Sequence, residues 1–133
     1  MSSDDNVKTI QSVYEAFGRG DIPTVLDALT DDVDWASEAA STEIPWWGVR
    51  HGKAAAADFF TQLGRATEVL EFTPLVMVGD GDDVLTVVRY RARARATGKE
   101  ADMELHHHWR FRDGKVARYR GAEDTLQTLR TFQ

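Results

Sequence analysis

The chain has 133 residues, 42% of them hydrophobic and 29% charged, a length and balance that fill one hydrophobic core and leave no room for a second domain beside 1–133. It holds no cysteine, which excludes disulfides, thiolate chemistry and cysteine-ligated metals. A formal net charge of −6 opposes generic contact with nucleic-acid phosphates, and no apolar run approaches the roughly 18 residues that would cross a bilayer.

The opening residues, Met1 to Lys8, are polar and acidic, without the basic and apolar regions of a secretory leader, so a cytoplasmic protein with no membrane partner is expected. Asp4 and Asp5 are the predicted cap of a helix whose apolar side is Val7, Ile10, Val13, Tyr14 and Phe17. Gly18 and Gly20 stop it. Asp21 then caps a second helix that carries Ile22, Val25, Leu26 and Leu29. Val33 and Trp35 alternate with Asp34 and Ala36 as a first strand. A long loop, Glu38 to Arg50, follows and contains Trp46 and Trp47. A third helix runs from about Lys53 to Leu63, with Gly64 as its stop. Four strands come next, Val69 to Val78, Val84 to Ala96, Ala101 to Arg112 and Val116 to Ala122, separated by turn residues. The last segment, Asp124 to Phe132, reads as a short helix or a tail. Helices first and a strand meander afterwards predict an α+β fold, a curved, mostly antiparallel sheet packed against three helices, rather than a parallel sheet.

Strand pairing decides which residues share a face. A two-residue turn at Gly98-Lys99 sets Arg95 opposite Asp102 and Arg93 opposite Glu104, so that opposite charges meet. Val88, Tyr90, Ala92 and Ala94 then share the inner face with Met103, Leu105, His107, Trp109 and Phe111. A three-residue turn with a bulge at Arg112-Asp113-Gly114 puts Ala117 beside Trp109 and Tyr119 beside His107. A two-residue turn would carry Arg118 and Arg120 inward, where unpaired charge is costly.

Several short runs at these spacings resemble the SnoaL-like branch of the NTF2-like superfamily, to which ketosteroid isomerases are also related. They are Tyr14-Glu15-Ala16-Phe17, Arg19-Gly20-Asp21, Asp31-Asp32-Val33 with Trp35, Trp47-Gly48, His51-Gly52-Lys53, Phe59-Phe60, His108-Trp109-Arg110-Phe111, Asp113-Gly114-Lys115-Val116 and Asp124-Thr125. The resemblance implies a cone: a bent sheet wrapped on helices around a central pocket, often paired into a homodimer through the outer sheet face. It also implies small-molecule chemistry, including isomerisation, polyketide cyclisation, epoxide hydrolysis and dehydration, while the fold alone selects none of these. The tyrosine, protonated aspartate and basic aspartate of the ketosteroid isomerases fall here on Val13, His107 and Ser37, all of them different. The acid/base carboxylate of the cyclases falls on Gly121, with Glu123 and Asp124 nearby.

His107 is the inward group whose ordinary pKa lies near neutrality, and with Tyr119 or Tyr14 it is the candidate for proton transfer on a small apolar carbonyl compound. The same placement suits a core histidine bonded to a tyrosine without turnover, in a protein that only binds a metabolite or serves as a dimeric module. Trp35, Trp46, Trp47, Phe59, Tyr90 and Trp109 are the expected aromatic walls for such a ligand, or plain core. His106 and His108 share a strand face with Glu104 at a spacing that metal sites use. Arg89, Arg91, Arg93 and Arg95 on that face oppose a cation, so no metal and no cofactor is expected. With Arg110, Arg118 and Arg120, these arginines form an outer stripe whose only carboxylates by this register are Asp102 and Glu104, and the resemblance implies a partner subunit as its cover.

Overall fold

The computed structural model describes residues 2–133. Two helices open the chain, α1 (Ser3–Gly18) and α2 (Ile22–Asp27). Ser2 rather than the aspartates caps α1, its hydroxyl accepting from the Asp5 N–H, while Asp4 and Asp5 occupy the first turn, where their charge suits the positive end of the helix. Asp21 caps α2 as its spacing predicts.

Strand β1 (Leu29–Ser37) starts at Leu29, which the apolar spacing had assigned to α2. The expected loop contains a short strand, β2 (Gly48–His51), paired antiparallel to β1. Helix α3 (Lys53–Ala66) runs two residues past Gly64. Strands β3 (Thr67–Asp80), β4 (Asp83–Ala94), β5 (Glu100–Arg112) and β6 (Lys115–Ala122) form the meander, and Thr125–Thr131 is a fourth helix, α4, capped by Asp124. The sheet order is β2-β1-β6-β5-β4-β3, antiparallel except where β1 runs parallel to β6. Among the described residues, no helix is long and apolar enough to cross a membrane.

Both hairpin registers differ from expectation. Between β4 and β5 the connection spans residues 95–99, not two residues, and Asp102 faces Arg91 while Glu104 faces Arg89. The reason is that residue 95 leaves the sheet. The Arg95 backbone N–H donates to Ala66 and its guanidinium to Gly64, at the end of α3, and Thr97 bonds to the Thr131 carbonyl of α4. A slip of four residues is even, so every side chain keeps its face.

At the β5–β6 turn, Asp113 and Gly114 both have positive φ, 52° and 81°, the geometry of a two-residue type I′ turn. The register shifts once, so that Phe111 faces Val116 but Arg110 faces Arg118, leaving Ala117 as a bulge. That extra residue restores the alternation and keeps Arg118 and Arg120 outside despite the short turn. Tyr119 therefore faces Trp109, and Gly121 faces His107.

The core lies between the inner sheet face and the helices. It includes Ile10 and Val13 of α1, Val25 of α2, Trp35 of β1, Phe59 of α3, Val84 and Val88 of β4, and Trp109 and Phe111 of β5. Trp35 and Tyr119, neighbours across the parallel pair, stack with ring centroids 4.0 Å apart.

Candidate functional site

Alternation along β4 and β5 carries Thr86 and His107 to the inner face, directly opposite one another, and α1 lays Tyr14 across them. The Tyr14 hydroxyl lies 2.7 Å from Thr86 Oγ1 and 2.7 Å from His107 Nδ1, and it accepts the Trp109 indole N–H at 3.1 Å. Three partners saturate one phenol. Burial pushes the Tyr14 phenol well up from its ordinary value, against the smaller opposite effect of the Thr86 and Trp109 bonds. His107 is pushed down to about 3, first by burial and then by the charge of the adjacent His106. At neutral pH the site thus holds a neutral imidazole beside a protonated phenol.

These groups border a cavity of about 90 Å³ between the sheet, α1, α3 and α4. An apolar cavity of roughly 150 Å³ takes up benzene, so this smaller one accepts a ring only when a lining side chain moves. Trp35, Trp46, Phe59, Tyr90 and Trp109 all line it, together with His107, Tyr14 and Tyr119. Trp47 is buried but does not border the cavity; its indole N–H is turned to Glu123 instead. Tyr119 packs against the His107 ring at 5.3 Å between centroids, yet the hydroxyl that bonds to His107 is that of Tyr14.

Gly121 explains where the Tyr119 hydroxyl goes. A Cβ on Gly121 would sit 2.3 Å from that oxygen, so the phenol fills the space a side chain at 121 would take. At the position aligned with the cyclase carboxylate, this chain therefore presents a phenol from two residues upstream.

The lining contains one group that sequence reasoning left out of the site. Glu123, just past β6, accepts through Oε1 from Ser37 Oγ at 3.3 Å, Trp46 Nε1 at 3.3 Å and Trp47 Nε1 at 3.1 Å, and through Oε2 from Thr128 Oγ1. It ties together the end of β1, the tryptophan loop and α4. The signal was in the alternation: Tyr119, Gly121 and Glu123 are two apart and share a face. Thr128, Thr131 and Phe132 of the α4 segment also line the cavity, a contribution that a tail would not make.

The outer face departs from expectation. Arg89 pairs with Asp102, Arg91 with Glu100 at 2.9 Å, Arg93 with Glu68 and Glu100, Arg110 with Asp83 at 3.0 Å, and Arg120 with Asp34 at 2.9 Å and Glu38 at 3.7 Å. Five of the seven arginines of the stripe are thus paired within the chain, by carboxylates of β1, β3, β4 and β5 of which the assumed register brought only Asp102 near the stripe's arginines; among the described residues, Arg95 and Arg118 have no ion pair. His108 also bonds to Asp83, at 2.7 Å, and the Arg110 and His108 contacts hold that carboxyl down to about 2. Among the described residues, no cluster of histidine and carboxylate ligands has the geometry to hold a metal.

A mixed six-stranded sheet bent over four helices around an aromatic cavity is the α+β cone of NTF2-like proteins. The chain belongs to the SnoaL-like domain family, whose pattern matches residues 10–119. It is similar to an NTF2-like protein of unknown function from Burkholderia pseudomallei K96243, with 28% identity, a TM-score of 0.89 and 98% of each chain covered. An NTF2-like protein from Burkholderia xenovorans LB400 shows 27% identity and a TM-score of 0.88 over 100% of this chain and 99% of that one. TerC, co-crystallised with polyporic acid, shares the fold at 22% identity and a TM-score of 0.83, over 96% of this chain and 97% of its own. No functionally curated protein matches the chain.

Proposed function

We propose that this is a small-molecule pocket protein that takes up a small, largely apolar carbonyl compound and moves a proton on it through His107, in a reaction of the isomerase, cyclase or dehydratase type. The observation that carries this reading is the free edge of His107. Its Nδ1 is fixed by Tyr14, whereas Nε2 makes no hydrogen bond among the described residues and the ring borders the cavity. A nitrogen left without a protein partner beside aromatic walls suits a ligand oxygen or an acidic C–H.

Trp109 can only donate, so Tyr14 accepts that bond and sends its own proton either to Thr86 or to His107. With the proton toward His107, Nε2–H is a neutral donor that polarises a carbonyl. With the proton toward Thr86, Nε2 offers a lone pair, takes a proton from the carbon beside the carbonyl and returns it to another atom of the same ligand. The resulting enolate is the negative partner that the protein itself does not set beside the ring, and it raises the basicity of the imidazole while bound. TerC, of the same fold, was crystallised with polyporic acid, which supports a ligand-binding role for the cavity. Pairing of two copies through the outer sheet face belongs to this proposal as well; it rests on the family resemblance, because most of the arginines there are already matched within one chain.

A second reading, binding without turnover, is favoured by the fall of His107 to about 3, far from the value a general base wants at neutral pH. Deuterium exchange separates the two. Small ketones and enones that bind are incubated in D₂O and followed by NMR for exchange beside the carbonyl. The catalytic reading expects exchange that His107→Gln removes while binding persists. Bound ketone with no exchange above buffer leaves the binding reading, and exchange that survives His107→Gln removes His107 from the chemistry.

A further inference from the structure

Among the described residues, Glu123 is the only carboxylate lining the cavity, and no lysine or arginine lines it. The arginines are spent on the outer face and at strand ends. A half-buried carboxylate with no cation beside it gives that part of the cavity wall a sign. That sign reaches the phenols: burial first, and Glu123 after it, push Tyr90 up, and Glu123 contributes in the same direction at Tyr119.

We propose that Glu123 sets the charge selectivity of the pocket, admitting ligands with a hydroxyl or protonated-amine donor and rejecting carboxylates. This rests on the reading of the cavity as a ligand pocket. Two of the four groups on Glu123 are indole N–H groups, which can only donate, so the site is built around an acceptor. Oε1 carries three donors and is saturated. Oε2 carries only the Thr128 hydroxyl and keeps a lone pair for a ligand donor. A neutral alcohol or phenol gives Oε2 that proton and buries no charge. A carboxylate entering the same space meets a like charge with no cation to pair with, and loses its hydration in an apolar enclosure. Tyr90 and Tyr119, whose hydroxyls make no hydrogen bond among the described residues, are left to meet the ligand's remaining polar atoms.

The test uses three one-ring probes of matched shape: 4-methylphenol, 4-methylbenzoate and 4-methylbenzylamine. Each is titrated calorimetrically at neutral pH, with movement of the His107 ring signal in NMR locating the bound probe. Wild-type protein is expected to bind the phenol and the amine at least about tenfold more tightly than the benzoate. Glu123→Gln is expected to bring phenol and benzoate within about threefold of each other, chiefly by strengthening the benzoate. Benzoate bound as tightly as phenol by the wild type overturns the proposal, and so does an unchanged ratio in a Glu123→Gln protein of unaltered melting temperature. If that variant does not fold, the amine decides: bound more weakly than the benzoate, it overturns the proposal. Binding of none of the probes sinks the pocket reading and this inference with it, whereas binding without discrimination sinks the inference alone.

Discussion

His107 and His108 are chain neighbours with opposite surroundings. His107 faces inward and is held to Tyr14, stripped of water and pushed down to about 3. His108 faces outward and shares Asp83 with Arg110, in a cluster that water reaches. The pleat alone separates them. The inner face of the sheet is organised by burial, so each polar group there needs a named partner or a ligand. The outer face is organised by charge pairs that solvent screens. One residue type thus does two different jobs, and which job it does follows from parity along β5.

The contrast is sharpest in stability. Trp35, stacked on Tyr119 and almost wholly enclosed, is expected to cost about 3–5 kcal/mol when truncated to alanine, read as a lower denaturant midpoint at constant slope. A loss under about 1 kcal/mol would break the picture of a tightly packed inner face.

Acid distinguishes the faces next. The folded-state value of His107 lies below its unfolded value of 6.5, so the unfolded chain binds the extra proton. The stability tied to a neutral His107 is complete above 6.5 and drains as pH falls toward about 3. The slope approaches about 1.4 kcal/mol per pH unit within that window. Asp83, whose ordinary value is 3.8 and folded value about 2, adds its own loss only below the ordinary value. Urea titrations from pH 7 to pH 4 are expected to show a decline that His107→Gln flattens. A decline that persists undiminished in the variant assigns it to other groups.

The smallest effect is expected outside. Leu85 of β4 is 52% exposed, and Leu85→Ala should move stability by no more than about 0.5 kcal/mol. A larger loss in the isolated chain that grows with protein concentration would show that this face is covered by a second copy, and the melting temperature measured over a dilution series decides it.

Which side chains point inward was legible from the sequence, because the period-two pattern survives register errors of even length. The assumed Gly98-Lys99 turn placed Arg95 against Asp102. The observed strands put Arg91 there, and Tyr90, Ala92, Met103 and His107 still face in. What pairs with what was not legible. The β4–β5 register depends on Arg95 and Thr97 reaching α3 and α4, contacts between segments far apart in the chain that no local pattern encodes. The bulge at Ala117 is equally silent, since alanine carries no turn chemistry. For the same reason the partners of the arginine stripe went unseen, because Glu68 and Asp34 come to it from other strands. At the cavity, the histidine and its aromatic walls could be named in advance. Which of the two candidate tyrosines, Tyr119 or Tyr14, bonds to His107 could not, because Tyr14 arrives from a helix whose rotation relative to the sheet is a tertiary fact. Glu123 was within reach of parity, and only its place beyond the last apolar residue of β6 hid it.

The parallel seam between β1 and β6 also governs how the molecule is assembled. β1 precedes β6 in the chain, so Trp35 meets Phe59 and Phe60 of α3 before its stacking partner Tyr119 has been made. Between them lie β2, α3 and a local meander that zips strand by strand, but the closing step joins residues 35 and 119 and bears the entropy of the long loop between them. A nascent chain cut short before Tyr119 would leave the stacking face of Trp35 uncovered, and chaperones rather than the fold itself would have to shield it in the interval.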